Sequence, residues 1–223
     1  MLKLVIFDCD GVLVDSEPIA NAVLAKHLSE LGAPHTIDDC YRHYRGLSMP
    51  AVVEKIQSLF PIMLPQDFLG KLQQETFAAF AQQLRPIPGV VPVLNDLREK
   101  AVPFCVASSG SHDKLAHTLT TTGLMAHFQG RIFSADDVKE GKPAPDLFLH
   151  AAARMDIAPR YCLVLEDSLP GLLAALAAQM QAVAYCPPEG NFSSSIKEAA
   201  HRLNCRTIRH LSELIDVAEL TRS

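Results

Sequence analysis

"LVIFDCDGVLVDSEP", residues 4–18, runs four apolar residues straight into Asp8, Asp10 and Asp15. A short, wholly apolar run fits a parallel strand buried on both faces. Carboxylates crowded at the end of such a strand repel one another. Either the turn is simply solvated, or a cation and an incoming phosphate make the crowding useful.

The bulk composition narrows the choice. A chain of 223 residues is long enough for one α/β domain or for a core domain with a small insert. Its 48% hydrophobic and 20% charged content is ordinary for a globular protein. A formal charge of −5 argues against nucleic acid as a partner, since binding to a phosphate backbone rests on a basic surface. No apolar run approaches the roughly 18 residues of a membrane span. Residues 1–7 are too short for a signal peptide, so a cytoplasmic protein is expected. Cys9, Cys40, Cys105, Cys162, Cys186 and Cys205 are scattered without a CxxC pair and read as small buried hydrophobes in a reducing compartment. The nine histidines form no HExxH or similar spacing, which gives a transition-metal site little support.

Four further apolar runs resemble the first: "PFCVA" (103–107), "RIFSA" (131–135), "CLVLE" (162–166) and "AVAYC" (182–186). Helical stretches separate them, and "PDLFLHAAARM" and "PGLLAALAAQM" each place a proline in the first turn, where it is tolerated. The tail suggests one more strand and helix. Strands alternating with helices predict an α/β fold with a Rossmann-like, doubly wound parallel sheet. Residues 17–85 break the rhythm, reading as helices throughout with prolines at both joins (Pro18, and "RPIPG" at 85–89). The expected organisation is therefore a core of residues 1–16 and 86–223, with a small all-helical cap of residues 17–85 inserted after the first strand. The two crossings would form the hinge.

Ligands of open parallel sheets bind beyond the carboxyl ends of the strands. Each of the first four strands here runs into polar residues: Asp8 and Asp10, then "SSG" (108–110), then the "EGKPAPD" loop with Lys142, then Glu166, Asp167 and Ser168. Asp8 and Asp167, with Glu166, offer the hard oxygens that suit Mg²⁺. A carboxylate held against a phosphate can attack phosphorus in line. Asp10 can protonate the leaving oxygen. Ser108 and the amides behind it can hold phosphoryl oxygens, and Lys142 can neutralise the remaining charge. Taken singly, each has a plainer reading: a solvated turn, a helix cap, a surface lysine. Four such features at four strand ends make one site.

In order and spacing, "FDCDGVLVDSEP", Ser108, Lys142 in "GKPAPD" and "LEDSLPG" resemble the four motifs of the haloacid dehalogenase superfamily. The resemblance implies Asp8 as nucleophile and Asp10 as acid and base. It further implies Mg²⁺ bound by Asp8, the main-chain carbonyl of Asp10 and Asp167, with Glu166 in support. An aspartate two residues after the nucleophile is similar to the phosphatase and phosphomutase branches, and the insert resembles the cap of the β-phosphoglucomutase-like subgroup. Asp15 is expected to tie down the turn by hydrogen bonds to nearby backbone.

The leading expectation is a Mg²⁺-dependent phosphatase acting on a small phosphorylated metabolite, a sugar or sugar-acid phosphate, as a monomer. The alternative is a phosphosugar mutase of the same subgroup, although Ala20 stands where the mutase hinge carries a histidine. A non-catalytic phospho-acceptor switch is a third reading, but such a module needs neither a leaving-group acid nor a cap. "SSGSHDKLAH" is similar to the bacterial 6-phosphogluconate phosphatases. The candidate substrate-binding residues are Ser109 and Lys114 in that stretch, with His43 and Arg45 in "HYRGLS" of the cap. An arginine there can donate paired hydrogen bonds to a carboxylate or to adjacent hydroxyls.

Overall fold

The computed structural model describes residues 2–44, 47–188 and 193–220. Six parallel strands form one sheet: β1 (Leu4–Phe7), β2 (Phe104–Ser108), β3 (Ile132–Ser134), β4 (Cys162–Glu166), β5 (Gln181–Tyr185) and β6 (Arg206–Ile208). Their order is β3-β2-β1-β4-β5-β6. The chain therefore winds outward from β1 in one direction and, after returning to β4, outward in the other. The reversal falls between β1 and β4, where such sheets open a crevice.

Alternation along each strand builds two cores. Val5, Phe7, Phe104, Val106, Leu163, Leu165 and Val183 face one side. There they meet α5 (Val90–Glu99), α6 (His112–Thr121), α7 (Met125–Phe128) and α11 (Glu213–Leu220). Leu4, Ile6, Cys105, Ala107, Val164, Ala182 and Ala184 face the other, against α8 (Asp146–Arg154), α9 (Leu169–Ala177) and α10 (Ser193–Arg202). The first side is aromatic. Phe7 lies edge-on to Phe104 (6.2 Å between ring centres) and to Phe128 (6.4 Å), and Phe104 meets Phe128 at 5.5 Å. The second side is rich in alanine, which lets α8 and α9 approach the sheet closely. Strand β3 stops at Ser134 because Ser134 and Asp137 exchange hydrogen bonds in a capping box around a single 3-10 turn.

Between β1 and β2, four helices fill the insert: α1 (Glu17–Glu30), α2 (Ile37–Tyr44), α3 (Met49–Leu59) and α4 (Phe68–Gln83). They bury a cluster of their own around Leu24, Leu28, Cys40, Val52, Ile56 and Leu72. The end of α4 does otherwise: Phe80 and Leu84 join the aromatic side of the sheet core. The two crossings pair with each other, as the Asp15 N–H donates to the Arg85 carbonyl (3.0 Å) and the Ile87 N–H to that of Leu13 (2.9 Å). Asp15 thus ties the joint through its main chain. Its side chain is exposed.

Phe7 anchors this arrangement one residue before Asp8. Phe7→Ala is expected to lower unfolding free energy by about 3–5 kcal/mol, the usual cost of a buried aromatic cavity. Urea denaturation measures it, and a loss below about 1 kcal/mol would show that the aromatic cluster closes over the gap.

Candidate active site

Asp8 continues the β1 ladder, its N–H bonded to the Leu165 carbonyl at 3.0 Å. Ser108 is the last residue of β2 and Glu166 the last of β4. The three central strands therefore deliver Asp8, Ser108 and Glu166 to one end of the sheet. All three are buried, as are Asp167 and Lys142.

Lys142 reaches in from the loop after β3. Its ammonium donates to Asp8 Oδ1 (2.7 Å), Glu166 Oε1 (2.6 Å) and the Ala107 carbonyl (3.2 Å). Burial lowers a lysine's pKa, but the charges of Asp8 and Glu166 outweigh it and hold Lys142 protonated well into the alkaline range. The other Glu166 oxygen, Oε2, accepts from the Asp167 and Ser168 amides (both 2.9 Å) and from Ser168 Oγ (2.8 Å). Ser168, not the acidic pair, caps α9, its side chain accepting from the Gly171 N–H at 3.2 Å.

Asp8, Glu166 and Asp167 bring one oxygen each to within 4.8 Å of one another. With Lys142 these groups carry a formal charge of −2, which a divalent cation would balance. Glu166 fits a ligand role less well than its partners, because both of its oxygens already accept hydrogen bonds. Burial raises the pKa of Asp8; Lys142 pulls it back, but Glu166, Asp167 and Asp10 leave it well above the usual carboxylate range. A cation between these oxygens would relieve that repulsion. The chemistry of the donor set suits a hard ion.

Asp10 is held apart from that cluster. Its Oδ2 accepts from Lys114 Nζ at 2.7 Å and its Oδ1 from the Ser16 hydroxyl. Burial pushes its pKa up, but the Lys114 charge and the two hydrogen bonds prevail and the net shift is downward.

Two glycines make room for the acids. Gly11 has φ +75°, and a Cβ there would lie 2.0 Å from Asp167 Oδ2. A Cβ on Gly171 would lie 1.9 Å from the Glu166 carboxyl carbon. The sequence signal for both is a glycine directly after or within the acidic motif.

A cleft of about 530 Å³ opens above these residues, between the sheet end and the insert. Asp8, Asp10, Ser108, Ser109, Lys114 and Lys142 line its floor. Asn21 and Leu24 on α1, Tyr44 on α2, Met49 on α3, and Leu72 and Gln73 on α4 line its roof. Ser108 Oγ accepts from the Gly110 N–H (3.2 Å), and α6 is capped one residue later by Ser111. The loop after β2 is stitched to the loop after β3 by Ser134 Oγ donating to the Gly110 carbonyl (2.7 Å) and by His112 Nε2 beside Asp137 (2.8 Å). His43 is not brought to the cleft; its neighbour Tyr44 is, because Cys40 and Tyr44 share the buried face of α2. Arg45 lies outside the described residues. Lys114 is in the cleft, but its ammonium is on Asp10.

Residues 2–179 match the haloacid dehalogenase-like hydrolase family. The chain is 26% identical to the 6-phosphogluconate phosphatase of Escherichia coli K12, over 96% of this chain and 93% of that one. It is 28% identical to the phosphorylated carbohydrates phosphatase of Thermotoga maritima, over 82% and 84% respectively. The crystal structure of a HAD family hydrolase from Deinococcus radiodurans, with bound phosphate and sodium, superposes with a TM-score of 0.77 at 30% identity, covering 98% of this chain and 96% of that one. The chain belongs to the haloacid dehalogenase-like hydrolases, and its activity is that of a phosphatase.

Gly171→Ala is expected to push Glu166 off its amides and away from Lys142. Thermal or urea denaturation should then show a loss of about 3 kcal/mol, the order of a disrupted buried ion pair. Unchanged stability would mean that α9 shifts to admit the methyl group.

Proposed function

We propose that the protein is a Mg²⁺-dependent phosphatase of a small sugar or sugar-acid phosphate, working through a phosphorylated Asp8. The observation that carries this reading is the separation of two acids at one cleft floor: Asp8 within the metal-suited cluster, Asp10 outside it on partners of its own. In the first step an Asp8 oxygen attacks phosphorus while the bond to the leaving oxygen breaks, and Asp10 gives that oxygen a proton. In the second a water attacks the same phosphorus, Asp10 takes the water's proton, and the Asp8 carboxylate is released. Ser108 and Lys142 hold phosphoryl oxygens and offset their charge. Mg²⁺ bound by Asp8, Asp167 and the main-chain carbonyl of Asp10, with Glu166 behind, would supply the positive charge that lets an anionic carboxylate approach an anionic ester.

The roof points to the substrate class. The cleft of about 530 Å³ exceeds what a phosphoryl group fills, and Asn21 and Gln73 present amides among apolar neighbours. That mixture suits a hydroxyl-rich leaving group. The phosphatases of Escherichia coli and Thermotoga maritima named above, which act on phosphorylated sugar acids and carbohydrates by name, point the same way. The helical insert acts as a cap whose closure over the floor excludes water from the first step.

Phosphate release should be measured across sugar phosphates, sugar-acid phosphates, phosphoglycolate and nucleotides, with and without Mg²⁺. The expected result is a preference for the first two classes, lost on chelation and restored poorly by Ca²⁺, whose higher coordination number suits this small donor set less well. Asp8→Asn should abolish turnover while unfolding as the parent does. Activity of Asp8→Asn above a few per cent of the parent, with reversion to Asp excluded, would remove Asp8 from the nucleophile's role. A preference for nucleotides would remove the sugar.

A further inference from the structure

The two oxygens of Asp10 are not equivalent. Oδ2 is held by Lys114, which stands on α6 of the sheet domain, 104 residues along the chain. Oδ1 is held by the hydroxyl of Ser16, the residue that leads into α1 of the insert. A lysine ammonium can only donate, whereas a serine hydroxyl can donate or accept. An oxygen shared with Lys114 therefore stays an acceptor throughout a proton-transfer cycle. An oxygen shared with Ser16 can carry a proton, since the hydroxyl turns to accommodate it.

The surroundings of Lys114 serve this placement. Its own N–H donates to the Ser111 side chain (3.3 Å), fixing the first turn of α6. Its stem passes over Gly110, where a Cβ would come within 3.2 Å of Lys114 Cδ. The side chain is largely enclosed (29% exposed), and its ammonium ends on the floor of the cleft beside the acid.

We propose that Lys114 is a positioning residue for the phosphatase reaction: it clamps Oδ2 of Asp10 to the sheet domain and leaves Oδ1, shared with Ser16, to perform both proton transfers. In the first step the proton leaves Oδ1 for the leaving oxygen as the P–O bond breaks. In the second, Oδ1 recovers a proton from the attacking water as that water's oxygen bonds to phosphorus and the bond from phosphorus to Asp8 opens. In this role Lys114 acts through Asp10 and not on the phosphoryl group or the leaving group. The inference rests on Asp10 as acid and base, but not on the identity of the sugar.

General acid assistance matters most when the leaving group is poor. Phenyl phosphate, whose leaving oxygen needs a proton, can therefore be compared with p-nitrophenyl phosphate, whose leaving oxygen hardly does. Neither carries a sugar, so the substrate class proposed above can fail without touching this test. Lys114→Met is expected to lower kcat/KM on phenyl phosphate by a factor about tenfold or more larger than on p-nitrophenyl phosphate. The loss should fall in kcat, with KM moving less than about threefold. Asp10→Asn should show the same ordering of the two esters, and Lys114→Arg should recover part of the phenyl phosphate rate. Equal losses on the two esters would overturn the proposal and make Lys114 a phosphoryl or structural contact. So would a loss confined to KM, which marks a substrate-binding lysine, or an arginine variant no better than methionine.

Discussion

The buried ammonium of Lys142 is the contact on which the rest of the floor depends. Asp8 and Glu166 end neighbouring strands, and without a cation between them both could not remain ionised in an enclosed site. Lys142 spans the gap, and each partner offsets the desolvation of the others. Removing Lys142 would leave two buried carboxylates uncompensated, a far larger cost than the net worth of either pair. Glu166 is accordingly best understood through Lys142. With four donors on its two oxygens it is a fixed anion that aims the lysine.

That contact in turn constrains the packing of α9. The Glu166 carboxylate sits under the first turn of the helix, where the amides of Asp167 and Ser168 point at it. A negative group at a helix N-terminus is favourable, but only if the turn can come close enough. Gly171 removes the one Cβ that would collide, and Ala174, Ala175, Ala182 and Ala184 keep the helix against the sheet. The small residues on this side of the core and the charged floor are thus one design. The aromatic side carries no such demand and is filled by larger rings.

Much of this was legible in the sequence, for physical reasons. Strands buried on both faces are apolar throughout, so each left an unmistakable run, and the polar residues after each run had to lie at the same sheet end because the strands are parallel. Asp8, Ser108, Lys142, Glu166 and Asp167 were found that way. Contacts that depend on side-chain direction were not. Lys114 was expected at the substrate, but the sequence held no signal that its ammonium would meet Asp10, a pairing created by the fold across 104 residues. His43 and Tyr44 are neighbours in sequence but about 100° apart around a helix, which decides the one that reaches the cleft. Ser111 and Ser168 took the capping roles that Ser108 and the Glu166–Asp167 pair could equally have filled, since several adjacent residues offer the same hydrogen bond.

The crowding of Asp8 and Asp10 resolves into a division of partners. Two residues apart on one strand end, they would raise each other's pKa if left to share one environment. Instead each has an ammonium of its own, brought by a different loop: Lys142 from beyond β3, and Lys114 from the first turn of α6. The second pairing balances to zero and lowers the pKa of Asp10, whereas the first is outnumbered by carboxylates and leaves that of Asp8 raised. The same residue type therefore sits in two opposite electrostatic states within one turn of chain. The negative charge that remains lies on the Asp8 side, where a hard cation would find its oxygens, and the Asp10 side is left electrically quiet and mechanically held. A single strand end can serve two chemical purposes only because the fold supplies a separate lysine to each.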